Sequence, residues 1–84
     1  MNAIRLFYEK IKKEIKVNIL KQDYKSAIKL YQLLIEQYPR KRIEIYKELY
    51  LCYFYNRDYL LMVKIRQELF VLELQRKIGY RRKI

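Results

Sequence analysis

An all-α chain of four helices, paired as two antiparallel helical hairpins, is what this sequence predicts, and three observations predict it. One glycine and one proline in 84 residues leave too few turn formers for a β-sandwich or barrel. Apolar residues recur at intervals of three and four along most of the chain. Finally, Lys21-Gln22-Asp23-Tyr24 returns 35 residues later as Asn56-Arg57-Asp58-Tyr59, and stacked helical hairpins repeat at about that period.

A first helix is predicted from Ile4 to Leu20, with Ile4, Tyr8, Ile11, Ile15 and Ile19 forming one apolar stripe. Asp23 is the expected N-cap of the second, because its carboxylate can accept from the free amides of the first turn. The second stripe reads Tyr24, Ala27, Ile28, Tyr31, Leu34, Ile35 and Tyr38, and Pro39 ends it, since the residue before a proline is driven out of the α region. A third helix over Lys41 to Tyr55 is apolar nearly all round, as expected of one covered on several sides or facing a partner. Asp58 is expected to cap the fourth helix as Asp23 caps the second. Two stripes compete there: Tyr59, Val63, Phe70 and Leu74 against Met62, Ile65, Leu69 and Leu72. With Gly79 as the C-terminal cap, the chain divides into one helical domain over 1–79 and a basic tail over 80–84. Tyr24, Tyr31, Tyr46, Tyr53 and Tyr59 are expected to face inward.

The segment from Asp23 to Tyr31, followed by Pro39, resembles a tetratricopeptide repeat: Tyr24, Ala27, Tyr31 and Pro39 stand at the spacings of that family's aromatic, small, aromatic and proline positions. Ile11, Glu14 and Ile15 occupy the places of its first-helix signature, and the second copy has Met62, Arg66 and Leu74 where a small residue, an aromatic and proline belong. The resemblance implies a stack of helical hairpins. A plain small helical bundle is the alternative. In hairpin stacks of this kind, the first and third helices would line the concave side.

The net charge of +11 is concentrated in three zones: six bases against two acids over residues 1–21, the run Arg40-Lys41-Arg42, and Arg81-Arg82-Lys83. Such a balance predicts attraction to polyanions. Lys10, Lys13, Lys16, Arg40, Lys41, Arg42, Arg81, Arg82 and Lys83 are the candidate contacts to an acidic partner or to phosphates. Of the ten tyrosines, Tyr50, Tyr55 and Tyr80 are least bound to the stripes and are candidates for an exposed aromatic surface.

Histidine is absent, Ser26 is the only serine and Cys52 the only thiol. Nucleophilic catalysis needs a base beside the nucleophile, and a zinc site needs more Cys and His ligands than this. No catalytic residue, metal or cofactor is therefore expected, nor a small-molecule substrate. The longest apolar run, Leu49–Tyr55, is seven residues, against roughly 18 for a membrane span. A lone cysteine excludes an intramolecular disulfide framework, and a reducing intracellular compartment is expected. The resulting expectation is a non-enzymatic interaction module, a small subunit or adaptor binding an acidic protein or itself. The alternative is a nucleic-acid-associated protein of ribonucleoprotein type. Attachment to an anionic membrane surface through the first helix is a third and weaker reading.

Overall fold

Helical periodicity becomes four α-helices in a computed structural model that describes residues 3–82, with side chains over 5–79. They are α1 (Ala3–Leu20), α2 (Tyr24–Gln37), α3 (Arg42–Tyr55) and α4 (Tyr59–Arg82), with one 3₁₀ turn, Pro39–Lys41, between α2 and α3. Among the described residues there is no strand. The short connections make neighbours antiparallel. Each helix packs on its neighbour in the chain: α1 on α2, α2 on α3, α3 on α4. Among the described residues the backbones of α1 and α4 do not meet, so the four helices form an open layer, 46 × 39 × 17 Å.

The two halves of the 35-residue echo fold into the same turn. Asp23 N–H donates to the Asn18 carbonyl at 2.8 Å and Gln22 N–H to Ile19 at 2.9 Å; Asp58 N–H donates to Tyr53 at 2.9 Å and Arg57 N–H to Phe54 at 3.1 Å. These are the paired bonds of a Schellman ending, which needs a left-handed residue at its centre. Gln22 supplies it with φ 61° and Arg57 with φ 63°, where glycine would be the unstrained choice.

Past the turn the copies differ. Asp23 Oδ1 accepts from Ser26 N–H at 3.2 Å and Oδ2 from the Ser26 hydroxyl at 2.8 Å, so Asp23 caps α2 as expected. Those bonds also hold its carboxyl below the usual carboxylate range. In the second copy Leu61 stands in the place of Ser26. The Asp58 carboxylate accepts instead from Asn56 Nδ2 at 2.6 Å, while the carbonyl bond is shared, Asp23 accepting from Ala27 N–H and Asp58 from Met62 N–H.

The core lies between α1, α2 and α3: Ile11 and Ile15; Ala27, Ile28, Tyr31 and Leu34; Ile45, Leu49, Cys52 and Tyr53. Among the described residues of α4, only Ile65 joins it as a buried residue. The competition between the two α4 stripes is thus decided. Met62, Ile65, Leu69 and Leu72 face α3, while Tyr59, Val63, Phe70 and Leu74 are 53, 46, 69 and 47% exposed. The gaps of the exposed stripe carry Arg66 and Lys77; packing it on α3 would have buried two unpaired cations.

Tyr59 therefore faces outward, correcting the expectation that it faces the core, and Tyr24 and Tyr46 are only half-buried. The helix also does not stop at Gly79. It runs on to Arg82, and Gly79 keeps an ordinary helical backbone in place of the left-handed one of a C-terminal cap. Residues 80–82 thus continue α4 instead of beginning a tail, and the remaining two lie outside the described residues.

Replacing Gln22 or Arg57 by glycine is expected to relieve the left-handed strain and raise stability by about 0.5–1 kcal/mol after the entropic cost of glycine. A β-branched residue at either position is expected to lower it. The urea midpoint of each variant checks both.

Candidate functional site

Three features stand out once the helices are placed: a polar network inside the layer, a basic end and an uncovered aromatic and apolar surface.

The network joins three helices. Lys12 Nζ of α1 is paired with both carboxylate oxygens of Glu48 on α3, and the Tyr31 hydroxyl of α2 donates to Glu48 Oε1 at 3.0 Å. The Lys12 ammonium also lies 5.9 Å from the centre of the Tyr31 ring. Glu48 thus forms a polar clasp between α1 and α3, whose backbones do not themselves pack together. Burial first, and then the Glu48 charge, push the Tyr31 hydroxyl far above its ordinary value. Burial and Glu48 also push the Cys52 thiol up to about 11. Cys52 therefore stays protonated at neutral pH, the opposite of what an activated nucleophile needs. Among the described residues, no group of three or more Cys, Asp or Glu is placed to hold a metal ion.

The antiparallel order carries the start of α1, the 40–42 junction and the far end of α4 to one end of the layer. Lys41 Nζ sits 4.4 Å from the centre of the Tyr8 ring, and Tyr8 and Phe7 meet Tyr38 at 5.0 and 6.4 Å. Lys47 of α3 pairs with Glu73 of α4 at 3.3 Å, and α4, ten residues longer than α3, ends on the side where α3 starts. Lys10, Lys13, Lys16, Arg40, Lys41 and Arg42 are all exposed. Lys13 and Lys16 lie progressively further along α1 from the basic end. Arg81 and Arg82 belong to the last turn of α4, and Lys83 lies outside the described residues.

The opposite end, at the two Schellman turns, is aromatic. Tyr24 stacks on Tyr55 with ring centres 5.6 Å apart, Tyr55 meets the edge of Phe54 at 5.5 Å, and Phe54 meets Tyr59 at 6.3 Å. Of the three tyrosines expected on a contact surface, Tyr55 is exposed, Tyr50 is half-buried against the core, and the Tyr80 side chain lies outside those described. Phe54 and Leu51, both about half exposed on α3, belong to the apolar remainder of that helix and stand outside the three candidate tyrosines. Their signal was the near-continuous apolar wheel of that helix, which two neighbours cannot cover.

Between α3 and α4 runs an open groove of about 450 Å³, lined by Arg42, Tyr46, Lys64, Gln67, Glu68, Val71 and Leu72. Burial first, and then the nearby Glu68 charge, raise the Tyr46 hydroxyl pKa there. Among the described residues, no helix is long and apolar enough to cross a membrane. No protein-family model, curated protein or solved structure matches the chain.

Glu48→Gln leaves Lys12 without its counter-charge and is expected to cost about 1–3 kcal/mol. Tyr31→Phe is expected to cost about 0.5–1.5 kcal/mol. Because both changes act on one network, the double variant should lose less than the two losses added. Urea denaturation of the three variants checks this.

The tyrosines also give the molecule an alkaline limit. Tyr8, Tyr31 and Tyr46 all titrate above their ordinary value of 10.0 in the folded chain, mainly through burial. The folded state therefore holds its protons longer than the unfolded state. Their contribution is complete below about pH 10 and is lost as pH rises through the folded-state values. Helicity followed against pH should fall above about pH 10, and less steeply in Tyr31→Phe.

Proposed function

We propose that this chain is a non-enzymatic helical-hairpin interaction module, a small subunit or adaptor that docks an acidic protein partner or a second copy of itself. The observation that carries the reading is the outer face of α4. Tyr59, Val63, Phe70 and Leu74 form an exposed apolar row on a helix whose inner face already packs on α3. Contiguous apolar surface of this kind marks interaction sites. The likeness of residues 22–39 to a tetratricopeptide repeat supports the same reading, because helical-hairpin repeats mostly bind and two hairpins are fewer than the roughly three that usually stand alone. The exposed bases of α1 favour an acidic surface as the protein partner.

Association with nucleic acid is the second reading. What favours it is the gathering of the start of α1, Arg40-Lys41-Arg42 and the far end of α4 at one end of the layer. Phosphate contact there would give affinity with steep salt dependence and little sequence preference.

Molar mass by light scattering, and thermal stability with and without an acidic polypeptide such as poly-glutamate, test the first reading. A mass above that of one chain, or a midpoint raised by poly-glutamate, is expected. A monomer indifferent to poly-glutamate overturns it. Anisotropy of a labelled RNA duplex tests the second reading, which fails if no binding is seen at about 50 mM salt.

A further inference from the structure

The row on the outer face of α4 is longer and more regular than its four apolar members suggest. Tyr59, Val63, Arg66, Phe70, Leu74 and Lys77 follow one another at intervals of four, three, four, four and three, the spacing of a seam along which two helices pack. All six side chains are exposed, and among the described residues α4 packs on no helix except α3. The two cations sit within the seam itself. A polyanion would be met by only two charges among apolar groups, and an ordinary apolar helix would bury both cations without partners.

One occupant satisfies every position. When a second α4 lies antiparallel across the first about a two-fold axis near residue 68, Arg66 meets the copy's Phe70, Lys77 meets its Tyr59, and Val63 meets its Leu74. Each of these pairs is centred at or within half a residue of position 68. Both cations then rest on aromatic rings, the favourable partner for a cation leaving water, and the two aliphatic residues face each other. In a parallel pair, Arg66 would oppose Arg66 and Lys77 would oppose Lys77, which is repulsive. A two-fold interface requires that if one residue touches another, the reverse contact also occurs, and this seam meets that condition at all six positions. We infer that the outer face of α4 is the dimer interface of this protein, closed by a second copy of the chain through antiparallel α4·α4 pairing. The inference rests on the interaction reading above and names which of its partners occupies this face.

Sedimentation equilibrium on the whole chain tests it, using Val63→Glu, Leu74→Lys and the double variant, with circular dichroism to confirm that each keeps its helices. The wild type should be dimeric, and each single substitution should weaken the dimer at least about tenfold by placing a charge against an aliphatic partner. In the double variant, the carboxylate introduced at position 63 faces the ammonium introduced at position 74 of the copy, twice over, and most of the loss should be recovered. An equimolar mixture of the two single variants regains one such pair. It should also recover part of the loss, and therefore still gives an answer if the double variant misfolds. A parallel pair would instead oppose carboxylate to carboxylate and ammonium to ammonium, and the double variant would be the worst of the three. That result overturns the pairing, and so does a dimer indifferent to both single substitutions; in either case the interaction reading survives, since the chain still associates. A wild type that remains monomeric up to about 100 µM also overturns the pairing. The poly-glutamate measurement then decides whether the interaction reading falls with it.

Discussion

Helices that pack only on their neighbours in the chain form a layer with two ends, and most of this molecule follows from that constraint. The inner helices α2 and α3 are covered from both sides, so three of the four largest fully buried side chains, Leu34, Ile45 and Leu49, lie on them, the fourth being Ile15 of α1. The outer helices α1 and α4 are covered from one side only. For α1 this matters less, because its uncovered face mixes Leu6, Phe7 and Val17 with exposed lysines that hydrate readily. For α4 it matters a great deal. That helix has ten more residues than α3 and carries apolar side chains around most of its circumference, and one neighbour satisfies only part of it.

The repeated turn keeps the layer in order. Both hairpins end their first helix with the same pair of backbone hydrogen bonds and a left-handed residue in the same place. A 35-residue echo in the sequence is therefore a repeated backbone geometry. The divergence begins one turn later. Ser26 completes the cap of α2 by side-chain bonding, whereas Leu61 has no hydroxyl to offer, and Asp58 turns to Asn56. The hairpins share an entrance, and they differ in what the following helix must bury.

Inside the layer, Glu48 is the polar counterpart of that apolar order. Backbone packing does not bring α1 and α3 together, so the Lys12–Glu48 pair and the Tyr31 hydroxyl supply the link across α2. The same carboxylate helps to raise the Tyr31 and Cys52 values, keeping both groups neutral. Towards solvent, the antiparallel order gives the molecule a basic end and an aromatic end, although neither character is gathered in one stretch of sequence.

Periodicity, the Asp23 cap and Pro39 determined four helices and nearly all their limits, because these are local effects of side-chain spacing and backbone donors. The three basic zones and the apolar excess of α3 were equally legible. Only the tertiary structure decided which stripe of α4 turns inward, since both have helical spacing and the difference lies in whether Arg66 and Lys77 must leave water. It also decided that Glu48 meets Lys12 from 36 residues away, that Tyr59 looks outward, and that Gly79 lies within a helix. Each of these depends on which neighbour a side chain finds, and spacing along one chain carries no record of the surface on the other side.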